Sequence, residues 1–371
     1  MRLTRRQLLG QVGASAAVFA VAPTRTSFSH PSPSLRLAGG ENAYGPSPRV
    51  VAALRSVNVV TITRYPDVAR EALRRTIARA HDVAPEQVVL GCGSEEILRM
   101  AVDAFLGEGK GLVVADPTCS VIARFAEAAH APIHAVPLTS AHAHDLDAMR
   151  ALIKASTGLV YICNPNNPTG TLTRRADIES FVRRLPPTVH VVIDEAYHDY
   201  VDPAIDAGSF IDRPLDDGRV IVSRSFSKVH GLAGLRAGYA IASAQTAARL
   251  GARSLASGVG GMAALAAAAA LDDPDHVRRS VRRNADDRQE FFNQANARML
   301  RVIDSQANFV MLNAMRPAGP VVDHFTRHGV QLAPLVPRFS DYVRVVLGSR
   351  AQMAEFWRVW DLMPPLAGHR M

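Results

Sequence analysis

The sequence of 371 residues predicts an α/β fold: a mostly parallel seven-stranded sheet joined to a smaller α+β domain. Three observations predict it. Short β-branched runs alternate with longer helical patterns, which places parallel strands between helices on both faces. Residue groups with chemical potential repeatedly follow the expected strands, at the carboxyl ends where open α/β sheets bind ligands. After about Gly258 the alternation stops and a different pattern of helices and strands begins.

The strands expected for the large sheet are Gln87–Gly91, Gly111–Ala115, Pro132–Leu138, Gly158–Cys163, Val189–Asp194, Arg219–Ser223 and Ala237–Ala242. Amphipathic segments such as Glu96–Phe105 and Ala176–Leu185 lie between them. Beyond Gly258 come an Ala-rich helix (Met262–Leu271) and a long charged helix from about Pro274 to Met299. A strand (Ala307–Leu312), a helix (Gly319–His328) and a strand near Tyr342–Leu347 follow. The expected organisation is a signal and linker over 1–34, an N-terminal arm over 35–65, a large domain over 66–258 and a small domain over 259–371.

Thr4-Arg5-Arg6-Gln7-Leu8-Leu9-Gly10 resembles a twin-arginine export motif, and a short weakly apolar stretch follows it. The expectation is an exported protein, periplasmic or extracytoplasmic, with no stable membrane association after export; a cytoplasmic location is the alternative. The Pro/Ser-rich stretch Pro23–Ser34 reads as a linker.

The net charge of +8 falls to +5 without Arg2, Arg5 and Arg6. Lys and Arg are scattered with little aromatic interleaving, so anionic substrates explain the balance better than nucleic acid does. Three cysteines (Cys92, Cys119 and Cys163) give no complete disulfide framework, and no Cys/His cluster has zinc spacing, so no metal is expected.

The most telling run is Ser225-Phe226-Ser227-Lys228, with Arg236 eight residues past the lysine. A lysine amine can bond an aldehyde. Hydroxyls and a guanidinium fork satisfy a phosphate. Together they suit an aldehyde cofactor that carries a phosphate. Gly91-Cys92-Gly93-Ser94-Glu95 follows a strand and opens a helix, where unpaired amides favour a phosphate. In Asn164-Pro165-Asn166-Asn167-Pro168-Thr169-Gly170, two Asn-Pro steps build a rigid turn that aims the Asn167 amide. Asp194-Glu195-Ala196-Tyr197 ends an apolar strand, where a carboxylate is costly unless paired.

In this order the motifs resemble those of pyridoxal-phosphate-dependent aminotransferases of class I/II, fold type I, in the histidinol-phosphate aminotransferase branch. The resemblance runs from about Leu35 to the C-terminus. Its branch marks include Glu41–Pro48, Arg64-Tyr65-Pro66-Asp67, Ser305–Val310 and Val343–Gly348. It implies pyridoxal 5'-phosphate as cofactor, with Lys228 as the lysine that bonds it and shuttles the proton. Asp194 would pair with the ring nitrogen, while Asn167 and Tyr197 would reach the phenolic oxygen. Gly93, Ser94, Glu95, Ser225, Ser227 and Arg236 would hold the phosphate. Tyr65 would reach the phosphate of a neighbouring subunit, which implies a homodimer. Arg344 would clamp the substrate's anionic group, and Asn42 would line its pocket.

Two departures bear on the substrate. Cys119 stands where the family often has an aromatic against the cofactor ring, and a thiol offers less contact area. The family also often carries an arginine soon after the Gly-Val near position 330. Gly329–Pro334 has none here, although Arg338 could substitute. The implied reaction is transfer of an amino group from a histidinol-phosphate-like or aromatic donor to a 2-oxo acid such as 2-oxoglutarate. A lyase, decarboxylase or racemase on the same scaffold is the alternative, and a non-catalytic binding protein is the third reading.

Overall fold

The computed structural model describes residues 35–205 and 208–364. The export signal and linker expected over 1–34 lie outside the described residues. Along the chain run β1 (Leu35–Leu37), α1 (Pro48–Arg55), α2 (Val59–Thr63), α3 (Asp67–Ala80), β2 (Val88–Gly91), α4 (Ser94–Phe105), β3 (Gly111–Asp116) and α5 (Val121–Ala128). Next come β4 (Ile133–Pro137), α6 (Leu146–Ala151), β5 (Thr157–Cys163), α7 (Arg175–Arg183), β6 (His190–Asp194), β7 (Val220–Ser225), β8 (Gly238–Ala242) and α8 (Ala244–Gly251). The remainder holds α9 (Gly261–Leu271), α10 (Pro274–Ala297), β9 (Val302–Ile303), β10 (Phe309–Asn313), α11 (Ala318–Arg327), β11 (Val330–Leu332), β12 (Tyr342–Val346) and α12 (Arg350–Asp361).

The large sheet has seven strands in the order β2-β8-β7-β6-β5-β3-β4. All seven are those expected from the sequence, with ends that shift by two residues or fewer. β8 runs antiparallel to both neighbours, and the other adjacent pairs are parallel. The reversal has a local cause. Residues 226–237 carry no α-helix, so β7 and β8 are joined without the crossover that parallel pairing requires. β5 is buried along its whole length, which explains why it reads as a nearly continuous apolar run.

Each sheet face has its own apolar layer. Ile97, Leu98 and Ala101 of α4, Ile122 and Ala126 of α5, and Leu250 of α8 cover one face. Val50 of α1, Leu73 and Ile77 of α3, Met149 of α6 and Phe181 of α7 cover the other. α9 lies past the boundary expected at 258/259, yet its buried alanines join this second layer and pack on α1 and α3. Small side chains let these helices approach closely.

The C-terminal sheet has the order β12-β10-β9, and all its pairs are antiparallel. Phe291 of α10, Phe325 of α11, and Phe356 and Trp357 of α12 build its apolar cluster. β1 pairs in parallel with β11, which anchors the N-terminal arm before it reaches the large sheet's edge. Among the described residues, no helix is long and apolar enough to cross a membrane.

Candidate functional site

The carboxyl ends of β5, β6 and β7 meet at one edge of the large sheet and present Asn164–Gly170, Asp194–Tyr197 and Ser225–Lys228 there. Lys228 sits in the turn after β7. Fully buried Phe226 anchors this turn, with its backbone bonded to Ala237 and Leu232. Lys228 Nζ donates to the carbonyl of Gly39 at 3.2 Å and lies 5.0 Å from the centre of the Tyr197 ring. Gly40 has φ +69°, and a Cβ there would stand 3.2 Å from Lys228 Nζ and 3.3 Å from Tyr197 Oη. A glycine therefore lets the N-terminal arm pass closely over both groups.

Asp194 ends β6 and is only 4% exposed. Its Oδ1 accepts from the Ala196 amide at 3.1 Å, and its Oδ2 accepts from the Tyr161 hydroxyl at 2.8 Å. Burial pushes its pKa up; Tyr161, the Ala196 amide and the Lys228 charge resist that rise. A buried carboxylate placed this way favours a cationic partner. Tyr197 is buried edge-on against Phe309, at 5.0 Å between ring centres.

In the turn after β5, both Asn-Pro peptide bonds are cis. The Asn166 amide donates to the Pro117 carbonyl at 3.1 Å, and Thr118 Oγ1 donates to Asn166 Oδ1 at 2.6 Å. The β3 and β5 loops are thus tied together. Asn167 Oδ1 accepts from Arg344 Nη1 at 2.6 Å, which leaves the amide's NH2 end as the donor. Arg344 also donates from Nη2 to the Ala38 carbonyl at 2.6 Å and packs over the Phe309 ring at 4.9 Å. A guanidinium has five N–H groups, so these two bonds leave donors for a substrate anion.

A cup for an anion lies at the start of α4. Gly93 caps this helix with φ +75°, and the first-turn amides of Ser94 and Glu95 have no partner within the helix. Arg236, itself left-handed at φ 55°, lies directly over Gly93. A Cβ on Gly93 would come within 2.5 Å of Arg236 Nη2. Arg236 Nη1 donates to Ser227 Oγ at 3.3 Å, and Ser225 Oγ accepts from the Ser227 amide at 3.2 Å. The Glu95 carboxylate faces Arg236 at 3.7 Å, so only its backbone amide suits a phosphate.

Two expected site residues, Asn42 and Tyr65, are placed differently from this group. The Asn42 side chain is committed within the protein. Its Nδ2 donates to the Val229 carbonyl at 2.7 Å, and its Oδ1 accepts from the Tyr44 amide at 2.9 Å. It fastens the arm to the lysine turn. Tyr65 lies between α2 and α3 and is 83% exposed. Half-buried Cys119 stays with the group: it packs against the apolar layer beneath α4, beside Tyr161 and Asp194, and burial, then the Asp194 charge, push its thiol pKa up. Arg338 is paired with Asp116, the last residue of β3.

Sequence reasoning missed Tyr161 and the ion network below the site. A tyrosine in a wholly apolar strand was the available signal, because a buried phenol needs a hydrogen-bond partner. In the network, Arg224 donates from Nε to Glu195 at 2.9 Å, from Nη1 to Asp199 at 3.1 Å and from Nη2 to Ser209 Oγ at 3.0 Å. Glu195 also accepts from Ser209 Oγ at 2.7 Å and from the Phe210 amide at 2.8 Å. Burial alone would lower the Arg224 pKa, yet Glu195 and Asp199 hold it raised.

The donor set fits a phosphorylated pyridine aldehyde. It offers a lysine amine, a buried carboxylate, a phenol and an amide on one side, and a cradle with a guanidinium at a helix start on the other. Comparison with known proteins agrees. The family described as aminotransferase class I and II matches residues 32–359. A histidinol-phosphate aminotransferase of Moorella thermoacetica is 35% identical over 325 residues, which cover 87% of this chain and 84% of the relative. One from Symbiobacterium thermophilum is 33% identical over 323 residues, covering 87% and 88%. The crystal structure of histidinol-phosphate aminotransferase from Sinorhizobium meliloti in complex with pyridoxal-5'-phosphate superposes with a TM-score of 0.81 at 27% identity, covering 88% of this chain and 91% of that one. With its motifs in the family's order and a family match over most of its length, the chain belongs to the class I and II aminotransferase family.

Proposed function

We propose that this chain works as a homodimer that moves the amino group of a histidinol-phosphate-like or aromatic donor to a 2-oxo acid such as 2-oxoglutarate. It is a pyridoxal-phosphate-dependent aminotransferase. The observation that carries the reading is the placement of Lys228 against Tyr197 and Gly39, at the sheet edge that also holds Asp194 and Asn167.

When bound, the cofactor supplies an aldehyde that bonds amines reversibly and a protonated ring that accepts electron density. Lys228 Nζ would anchor that aldehyde and, when free, would serve as the base and acid that moves the donor's α proton. Asp194 would pair with the ring nitrogen and keep its proton there. Asn167 and Tyr197 would donate to the phenolic oxygen, and Arg344 would orient the substrate through its anionic group. Arg236, Ser225, Ser227 and the α4 amides would hold the phosphate.

The donor is tested by adding single amino donors to the holoenzyme and following the shift from the aldehyde to the amine absorption band. The panel includes histidinol phosphate and aromatic amino acids, with 2-oxoglutarate as acceptor. Histidinol phosphate or an aromatic donor is expected to give the shift and turn over. Formation of ammonia, carbon dioxide or an enantiomer without the shift would instead support a lyase, decarboxylase or racemase.

The dimer reading rests on an exposed apolar strip: Val59, Val60, Ile62, Tyr65 and Val68, with Met262 of neighbouring α9. Such strips mark association surfaces. If Tyr65 completes the partner's phosphate site, Lys228→Ala and Tyr65→Ala subunits complement each other. At limiting cofactor each variant alone is inactive, while co-expressed hybrids recover up to about a quarter of wild-type activity, since one site in each mixed dimer is intact. A monomer by ultracentrifugation with no recovery would refute the shared site.

A further inference from the structure

Tyr161 is 0% exposed, in the centre of β5. Its ring belongs to the apolar layer beneath α4 and α5, where phenylalanine would fill the same space. The hydroxyl therefore needs a reason. β5 and β6 are adjacent and parallel, with Tyr161 opposite Val192 and Cys163 opposite Asp194. Residues two apart share a face, so Tyr161 and Asp194 point to the same side. The phenol reaches along that face to Asp194 Oδ2 at 2.8 Å.

We propose that Tyr161 is a positioning residue for transamination: by donating to Oδ2 it holds Asp194 ionised and oriented, so that the proton shared with the cofactor's ring nitrogen stays on the ring. The inference rests on Asp194 being that nitrogen's partner. Each carboxylate oxygen has two acceptor sites, so the bonds from Tyr161 and Ala196 leave room for the ring N–H. The surroundings otherwise favour a neutral acid. Burial raises the Asp194 pKa most and Glu195 adds a like charge, while Tyr161 provides the largest opposing influence, ahead of the Ala196 amide and Lys228. The neighbouring thiols of Cys119 and Cys163 are pushed up by burial and by Asp194, so they stay uncharged beside it.

The test is Tyr161→Phe holoenzyme reconstituted with cofactor carrying nitrogen-15 in the ring. The ring signal is expected to move toward the unprotonated position. kcat falls about 10- to 100-fold, the effect of losing one hydrogen bond to a charged group, while donor KM changes less than about twofold. In an Asp194→Asn background, Tyr161→Phe adds nothing further. An unmoved ring signal with bound cofactor, or an equal loss in the Asn background, overturns the proposal. Failure of the wild-type chain to retain cofactor would instead defeat the cofactor reading beneath it. If Tyr161→Phe does not fold, 3-fluorotyrosine at position 161 reads the same bond: the stronger donor moves the ring signal further toward the protonated position, and no movement overturns the proposal.

Discussion

Lys228→Ala is expected to cut kcat by about 10⁴-fold or more, because it removes the covalent anchor together with a proton-transfer group that alone contributes about 10²–10⁴-fold. The amine is well placed for both tasks. It reaches Gly39 O at 3.2 Å and the Tyr197 ring at 5.0 Å, and the buried Phe226 turn holds its backbone. Arginine would keep the charge but not a compact nucleophilic amine, so Lys228→Arg is expected to fail as well. The measurements are single-turnover kinetics with a working donor, and borohydride trapping followed by mass mapping. Trapping should label Lys228 in the wild type and no residue in the variant. Turnover above about one per cent of wild type in Lys228→Ala would contradict the assignment.

The largest stability effect is expected at Arg224→Ala. Arg224 and Glu195 are 9% and 2% exposed at their side chains, and Asp199 and Ser209 complete the network. Removing one partner of a buried ion pair costs about 3–5 kcal/mol, because the other charge is left without compensation. Urea unfolding of the cofactor-free protein measures it. Adding Glu195→Gln to Arg224→Ala should return part of the loss, since the orphaned charge disappears; a strictly additive double variant would refute the coupling. The sign with pH follows from Asp199. Burial pushes its carboxyl up, but Arg224, His230 and His198 together draw it below its ordinary value. A depressed carboxyl contributes stability above its unfolded pKa of about 3.9 and loses it as pH falls through the folded value. The gap between wild type and Arg224→Ala should therefore narrow as pH drops below about 4. A gap that widens there would contradict the ion pair's role.

Much of the site could be read in the chain because its motifs are local. Asn164–Gly170, Asp194–Tyr197 and Ser225–Lys228 each follow one strand, and a parallel sheet delivers such segments to the same edge whatever the details of packing. The cradle at Gly93 was also local, as a glycine turn before a helix. Other parts were not legible. Asn42 looked like a pocket residue, yet its amide closes on Val229 and Tyr44. Arg338 looked like a spare cation, and it is paired with Asp116. In both cases the competing partner is a group that spacing along the chain does not reveal. α9 reads as the start of a new segment, but its small side chains suit the crowded space beside α1 and α3.

The sequence by itself determined the fold class, the positions of the seven main strands along the chain and the motifs of the candidate site, because periodicity and turn chemistry act over a few residues. Only the tertiary structure decided how those groups are held. Lys228 meets Gly39 across 189 residues, Arg344 meets Asn167 across 177 and Ala38 across 306, and Tyr161 meets Asp194 across 33. Such contacts are set by strand register and by the path of the N-terminal arm. Both result from burying apolar surface over the whole chain, so no local pattern encodes them.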